Sequence, residues 1–408
     1  MIQFNYTNLF KAKDPQITEE ELKDTANLIA KYLENIKAKD QGFYEIVNED
    51  PSGILEYAAQ VKGQFDDIVI LGIGGSALGN ICLRDTLTHP FKASPRLRII
   101  DNVDPYLIEK LDETLNYDRT LFIVISKSGG TPETLAQYMY FKEKTASENF
   151  VFITGKEGFL RETGEKENIK TFSVPENVGG RFSVLTAVGL LPAALIGIDI
   201  KNLLKGGQEM ARKFLSEEFN TNLSFQFAAI QYLLNQKGVN INVMMPYTNR
   251  LKTFADWYSQ LLAESIGKDG KGITPVSALG TTDQHSQVQL YNEGPRDKMI
   301  IFLEVENHES EIKIPDSDVN HEKINFLKNV QFAHLINAEK RATEGAITDY
   351  GKANMTFKID KVNEKNLGGL FMAFEGATAF LGEFFQIDAF NQPGVELGKK
   401  LTKKYLEN

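Results

Sequence analysis

The sequence predicts an α/β protein with two doubly wound, mainly parallel sheets and a C-terminal helical segment. Short apolar runs, typical of strands buried on both faces, alternate with helical stretches, as expected for repeated β-α-β units. The alternation begins near residue 67, gives way to a long helical stretch, and restarts near residue 239. Because 408 residues can bury two cores, we expect two lobes with a binding cleft between them.

The elements are predicted in the following order. Residues 1–45 are expected to form a helical arm, because Thr18 and the three glutamates after it favour a helix start. Strands are predicted at residues 67–71, 96–100, 121–125, 151–154, 170–174, 239–246, 273–279 and 298–305. Further helices are predicted at residues 183–213, 249–264, 371–385 and 395–406. We therefore divide the chain into the arm, α/β subdomains of residues 46–215 and 216–390, and a closing segment of residues 391–408.

Composition restricts the classes of partner. The formal net charge of −10 argues against nucleic acid, because phosphate backbones need a basic protein face. The longest apolar stretch, residues 187–200, is shorter than a membrane span and is interrupted by Pro192. Cys82 is the single cysteine, and the N-terminus has no signal-peptide pattern, so a cytoplasmic location is expected.

A glycine-rich loop, GIGGSALG at residues 72–79, separates the first predicted strand from a helix. Its glycine spacing formally fits a dinucleotide fingerprint, and a dehydrogenase is therefore one alternative. However, Asp101 follows Gly72 by 29 residues (101 − 72), further than the ribose-binding acid of that fingerprint. Gly75 and Ser76 suit a small anion or a sugar hydroxyl, and a tight structural turn remains a third interpretation.

A second loop, SKSGGT at residues 126–131, follows another buried strand and leads into a helix that begins with Pro132. Backbone N–H groups, serine and threonine hydroxyls and a helix N-terminus together can hold the oxygens of a phosphate. Parallel strands of one sheet end at the same edge, so both loops are expected to converge there. We interpret the loop as a phosphate site, the alternative being an ordinary serine and threonine turn.

Several charged residues occupy positions that local rules disfavour, which is common at functional sites. Glu264 ends a predicted helix, where the helix dipole disfavours a negative charge, and Lys399 lies near the start of the last helix, where it disfavours a positive one. Arg181 follows two glycines and precedes a helix expected to have Ser183 as its N-cap. Each of these side chains could equally be a solvated surface charge.

The histidines do not indicate a metal site. They lack the spacing of metal ligands, and the lone cysteine adds none, so no metal cofactor is expected. Thr281 and Gln284 have the spacing of a capping box, which would place His285 in the first turn of a short helix. A lone histidine is usually structural, but this one could serve as an acid or base.

These motifs resemble those of the glucose-6-phosphate isomerase (phosphoglucose isomerase) family over roughly residues 45–405. They occur in the family's order: GIGGSALG at 72–79, SKSGGTPET at 126–134, GGRFSVLTAVGL at 179–190, AESIGK at 263–268 and NQPGVELGKK at 391–400. The segment DQHSQVQLYNEG carries the family histidine, His285, 21 residues after Glu264 (285 − 264). The resemblance implies two subdomains of the sugar-isomerase type.

The resemblance also implies a set of substrate-binding residues with small or polar side chains. They are Gly75, Ser76, Ser126, Lys127 through its backbone, Ser128, Thr131 and Gln392. The serine and threonine residues would hold the substrate phosphate, and Gly75 and Ser76 would meet the sugar chain.

The resemblance implies cofactor-free interconversion of glucose 6-phosphate and fructose 6-phosphate in glycolysis and gluconeogenesis. Glu264 would move the proton between C1 and C2, Arg181 would stabilise the enediolate, and His285 with Lys399 would open the sugar ring. It further implies a homodimer in which His285 reaches the partner's site. Apart from the dehydrogenase, a non-catalytic sugar-phosphate sensor is the remaining alternative, although a sensor has no use for all four of these side chains.

Overall fold

The computed structural model describes residues 2–92, 94–316, 319 and 321–407, and within them the chain forms two five-stranded sheets. The strands are β1 (Ile2–Asn5), β2 (Asp67–Leu71), β3 (Arg96–Ile100), β4 (Thr120–Ser126), β5 (Phe150–Thr154), β6 (Lys170–Ser173), β7 (Ile241–Pro246), β8 (Thr274–Ser277), β9 (Lys298–Val305) and β10 (Asn354–Ile359). Seven of the eight strand pairs are parallel, and the pair of β1 and β10 is antiparallel. The predicted fold class of two mainly parallel sheets is confirmed.

The α-helices of the described residues connect and cover these strands. They are α1 (Glu19–Asp24), α2 (Ile29–Ala38), α3 (Ser52–Gln60), α4 (Leu78–Leu87), α5 (Pro105–Asp112), α6 (Pro132–Lys142), α7 (Phe159–Glu167), α8 (Ala187–Leu195), α9 (Ile200–Phe214), α10 (Leu223–Asn235), α11 (Lys252–Ile266), α12 (Val288–Glu293), α13 (Phe332–Asp349), α14 (Glu364–Phe385) and α15 (Glu396–Glu407). None of the described helices is long and apolar enough to cross a lipid bilayer.

The first sheet has the order β3-β2-β4-β5-β6, and all its strands are parallel. The chain leaves β2 on one side to form β3 and returns to the other side to form β4. Strands β2 and β4 therefore flank a topological switch point, where loops at the carboxyl ends diverge and leave room for a ligand. Both loops singled out in the sequence follow these two strands.

The second sheet has the order β1-β10-β9-β7-β8. Its edge strand β1 lies within the segment predicted as a helical arm, so that prediction is wrong for the first residues. Ile2 and Phe4 are less exposed than their polar neighbours, which is the period of two expected of a strand, and the Phe4 ring stacks on Phe357 at 4.3 Å. The helix start at Thr18 is as predicted, because its side chain and that of Glu21 form a reciprocal capping box.

Helix α14 is the central element of the core. Almost all of its 22 residues are buried, and it packs against α9, α10 and α11. The close approach of α9 and α14 depends on glycine, because a Cβ at Gly206 would lie 1.8 Å from the carbonyl oxygen of Lys365. Since α11 also packs on α4, which follows the first glycine loop, the elements that follow the two sheets meet along α11.

The predicted helices differ from the structure in their limits. The stretch predicted at residues 183–213 is two helices, α8 and α9, separated at Gly197, which has a φ of +86°. Thr186, and not Ser183, is the N-cap of α8, since its side chain accepts a hydrogen bond from the Val188 N–H. The Ser183 hydroxyl instead donates to the Gly180 carbonyl at 2.6 Å, which closes the turn around Arg181.

Candidate active site

The glycine-rich loop packs against the turn that carries Arg181. A Cβ on Gly75 would lie 2.4 Å from the carbonyl carbon and oxygen of Gly180, so only glycine fits at this position. A Cβ on Gly74 would lie 2.9 Å from the amide nitrogen of Gln260 on α11. The loop thus faces the Arg181 turn and α11, and this close packing disfavours the dinucleotide interpretation. Ser76 is half-buried in the same loop.

The serine loop lies beside the glycine-rich loop at the carboxyl edge of the first sheet. Ser126 ends β4 in a buried position, and its Oγ lies 2.9 Å from the Thr131 Oγ1. Thr131 is the N-cap of α6, but its side chain caps no N–H group of that helix. Ser128 is exposed at the tip of the loop, and Gly129 beside it has a φ of +65°. The loop therefore presents hydroxyls and the N-terminus of α6 together, as a phosphate site requires.

Lys127 is neither solvated nor directed at the loop's anion-binding face. Its Nζ donates to the carbonyl oxygens of Glu176 at 2.7 Å and Val178 at 2.9 Å. Burial lowers the pKa of this ammonium group. The side chain ties the serine loop to the segment that leads into Gly179 and Arg181.

Arg181 lies in a short 3₁₀ turn and is buried, with 4% of its surface exposed. Its guanidinium donates to five acceptors: Ser265 Oγ (2.7 Å), Glu264 Oε2 (3.4 Å), Gln392 Oε1 (2.8 Å), Ala389 O (2.6 Å) and Asn391 O (3.0 Å). Burial lowers the pKa of the guanidinium, and the nearby carboxylates of Glu264 and Asp388 oppose that effect. Arginine stays cationic in proteins, so a fixed positive charge faces Glu264.

Glu264 lies in the last turn of α11, two residues before the helix ends at Ile266. Its Oε1 accepts a hydrogen bond from Gln260 Nε2 at 3.0 Å, and its Oε2 is paired with Arg181. About a third of the side chain (34%) is exposed. The carboxylate is thus oriented by two donors and accessible to a small molecule, which suits a proton-transferring base.

Two further residues of this cluster were not predicted from the sequence. Gln260 is one helical turn before Glu264. Its i, i+4 spacing on a predicted helix could have indicated that the two side chains contact each other. Lys268 follows α11, and its Nζ donates to the carbonyl oxygens of Ser265 at 2.8 Å and Asp388 at 2.7 Å. Burial and, second, the charge of Arg181 lower the pKa of Lys268 to about 8. The signal for Lys268 in the sequence was a cation directly after the predicted helix that carries Glu264.

His285 lies apart from the Arg181 cluster, at an exposed position directly after the 3₁₀ turn Thr282–Gln284. The predicted capping box is absent, because the Gln284 side chain is bonded to the Tyr247 hydroxyl at 2.6 Å and to Glu339 at 3.1 Å. Among the described residues the His285 ring has no hydrogen-bond partner.

Lys399 is likewise exposed, on α15, where its Nζ pairs with Glu396 at 2.7 Å. Within the chain as described, neither Lys399 nor His285 bonds to Arg181 or Glu264. Of the predicted site residues, Glu264 and Gln392 therefore bond to Arg181 and Gly75 packs against its turn, whereas His285 and Lys399 are exposed and make no hydrogen bond to Arg181 in the described part of the chain.

Comparison with known proteins identifies relatives along almost the whole chain. Residues 16–408 match the family model of phosphoglucose isomerase. A glucose-6-phosphate isomerase of Carboxydothermus hydrogenoformans is 43% identical over 388 residues, covering 88% of this chain and 84% of that protein. One from Methanocaldococcus jannaschii is 35% identical over 412 residues, covering 100% of both chains. The resemblance found in the motifs is confirmed.

Solved structures share the fold. A hypothetical protein from Thermus thermophilus aligns over 100% of both chains, with a TM-score of 0.92 and 32% identity. A glucose-6-phosphate isomerase from Chlamydia trachomatis aligns over 100% of this chain and 88% of its own, with a TM-score of 0.87 and 18% identity. At 18% identity the second comparison supports the fold alone.

The contact between Gly75 and Gly180 can be tested by stability. We expect Gly75→Ala to lower the free energy of unfolding by about 1–3 kcal/mol, because the added methyl group must displace the Arg181 turn. Gly180→Ala is the matched control: a Cβ there would meet no atom within 4 Å, so its stability should stay within about 1 kcal/mol of wild type. Urea unfolding measures both, and equal stability of the two variants would show that the loops are not in contact.

Proposed function

This chain belongs to the phosphoglucose isomerase family and interconverts glucose 6-phosphate and fructose 6-phosphate, and we propose that Glu264 transfers the proton in this reaction. The observation that supports this role most is the pairing of a partly exposed carboxylate with the buried cation of Arg181. The reaction, a step of glycolysis and gluconeogenesis, moves one hydrogen between C2 and C1. A single positioned base and a stabilised enediolate are sufficient for it.

We propose that the substrate phosphate binds at the serine loop. The hydroxyls of Ser126, Ser128 and Thr131, together with the backbone N–H groups at the start of α6, would donate to its oxygens. Gly75 and Ser76 on the neighbouring loop would face the sugar chain. Binding energy from the phosphate, which is remote from the reacting carbons, would then hold C1 and C2 beside Glu264.

The proton-transfer step follows from the arrangement around Glu264. In the open-chain aldose, Glu264 takes the proton from C2, and the electron pair of that C–H bond forms the C1=C2 double bond of a cis-enediolate. The negative charge that develops on the substrate oxygen faces the Arg181 guanidinium, which also holds Gln392 at the site. The proton of the O2 hydroxyl then passes to O1, the C2=O bond forms, and Glu264 returns its proton to C1, which completes the ketose. These steps need no external oxidant or reductant.

The base can be tested by removing only its charge. Glu264→Gln should lower kcat by about 10²–10⁴, because the amide cannot accept the proton, while sugar-phosphate binding should persist. Conversion of glucose 6-phosphate would be assayed in EDTA without nucleotide, and binding would be followed as a rise in Tm. Substantial turnover by this variant would show that the base lies elsewhere.

Glu293→Gln is the matched control for that experiment. Glu293 also ends a helix, and it accepts a hydrogen bond from a glutamine four residues earlier, Gln289, at 2.9 Å. This arrangement repeats that of Gln260 and Glu264. We expect the control variant to keep its activity within about threefold of wild type, as for a surface substitution.

We propose that the enzyme is a homodimer in which His285 completes the partner's site, and that His285 and Lys399 assist ring opening. Both side chains are exposed and outside the Arg181 cluster of their own chain. Helix α15 also exposes an apolar stripe of Leu397 (67%), Leu401 (38%) and Tyr405 (72%), which share one helix face. A second copy of the chain would cover this stripe, since exposed apolar faces of this kind mark interaction surfaces.

Complementation tests the shared site. If His285 acts across the interface, a mixture of Glu264→Gln and His285→Ala subunits contains dimers with one intact site. Co-expression should then restore about a quarter of the wild-type activity, because half of the dimers are mixed and each has one functional site of two. If each subunit used its own histidine, the mixed dimers would be as inactive as the parents.

We propose a cytoplasmic location. A glycolytic enzyme acts there, and the chain's only cysteine, Cys82, is buried, so that it contributes no disulfide within the chain. Burial raises the pKa of the Cys82 thiol, which keeps it protonated and unreactive.

A further inference from the structure

We propose that Lys268 is a positioning residue of the isomerase and that its positive charge sets the alkaline limit of activity. Its ammonium group would hold the segment of residues 388–392 against the end of α11, and so keep Arg181 beside Glu264. This inference rests on the roles proposed above for Arg181 and Glu264. Lys268 would act through them without touching the substrate.

The hydrogen bonds of Lys268 support this role. Its Nζ donates to the carbonyl of Ser265, whose hydroxyl accepts from Arg181 Nε at 2.7 Å. Its second bond is to the carbonyl of Asp388, the residue directly before Ala389, whose carbonyl accepts from Arg181 Nη2 at 2.6 Å. Lys268 therefore joins the end of α11 to the segment after α14, and these are the two segments that supply the acceptors of Arg181. Without Lys268, these acceptors would no longer be held in place, and the guanidinium would not be kept beside Glu264.

The charges around Lys268 come from four parts of the chain. Three parts carry charges that act on Lys268 directly: Arg181 in the 3₁₀ turn, Glu264 and Asp269 in and after α11, and Asp388 after α14. The fourth part is α2, with Lys31 and, directly after the helix, Lys39. Lys268 lines a cavity of about 660 Å³ together with these two lysines and Glu383 of α14. The cavity is polar and open to water, so the ammonium group can exchange its proton with solvent. The acids favour the charged form, but burial and Arg181 outweigh them.

The sign of the pH effect follows from this environment. Below a pKa of about 8, Lys268 is charged, and both of its hydrogen bonds are strengthened by that charge. Above it, the neutral amine donates more weakly, and a lone pair replaces one N–H group. Arg181 does not lose its proton in this range. Activity should therefore fall on the alkaline side as Lys268, and not Arg181, deprotonates.

The test compares pH profiles of kcat and kcat/KM, from about pH 6 to about pH 10, for wild type, Lys268→Arg, Lys268→Met and Lys271→Met. We expect Lys268→Met to lower kcat by about 10–10², the effect of a small misplacement of catalytic groups, and to lack an alkaline limb near pH 8. Lys268→Arg should retain most of the activity and carry it to higher pH, because a guanidinium keeps its charge.

Lys271 is the matched control, because its Nζ also donates to a carbonyl at the end of α14, that of Phe385 at 2.8 Å, but not to the segment that binds Arg181. Lys271→Met should keep the wild-type profile. The inference is overturned if Lys268→Arg retains the wild-type alkaline limb, if Lys268→Met has wild-type kcat, or if both methionine variants lose activity equally. Wild type and Lys268→Arg alone decide the matter if Lys268→Met does not fold. Absence of isomerase turnover in wild type would instead refute the proposed function.

Discussion

The buried guanidinium of Arg181 is the interaction on which the site depends. Removing a permanent charge from water is costly, and the cost is offset only where hydrogen bonds occupy its donors with good geometry. Arg181 finds its acceptors on the end of α11 and on the segment after α14, more than 80 and 200 residues away in sequence. Its planar array of donors thus fixes the relative positions of both lobes, and the same group supplies the charge that faces Glu264.

Two lysines connect the surroundings of Arg181 to other parts of the chain. Lys127 joins the serine loop to the segment before Arg181, and Lys268 joins the end of α11 to the segment after α14. Each ammonium group binds two backbone carbonyls, so its role is to hold chain segments together. In the proposed mechanism the phosphate site and the base are thereby connected to the same guanidinium. This connection explains how binding of a remote phosphate can position the reacting carbons.

The sequence predicted the first sheet almost residue for residue, because buried parallel strands are continuous apolar runs between turn signals. It did not reveal β1 and β10, whose assignment depends on their pairing in the second sheet. At the proposed site, Glu264 and Arg181 were noted because they occupy unusual local positions, but only the family resemblance assigned them roles. The sequence predicted that Lys127 lies in the serine loop, but it did not predict where its side chain points. Local patterns cannot indicate that the distant carbonyls of Glu176 and Val178 accept hydrogen bonds from it. Gln260 and Lys268 look like ordinary polar residues until Arg181 brings their elements together.

The most direct test of this account is the kinetics of Arg181→Ala, measured on the folded protein with glucose 6-phosphate. If the charge of Arg181 stabilises the enediolate, kcat should fall by about 10²–10³, or ~2.7–4 kcal/mol of transition-state stabilisation, the range for loss of one group that stabilises an oxyanion. KM should change far less, because the phosphate site is separate. A variant that folds and retains the wild-type kcat would contradict the account, and Arg181 would then be a structural residue only.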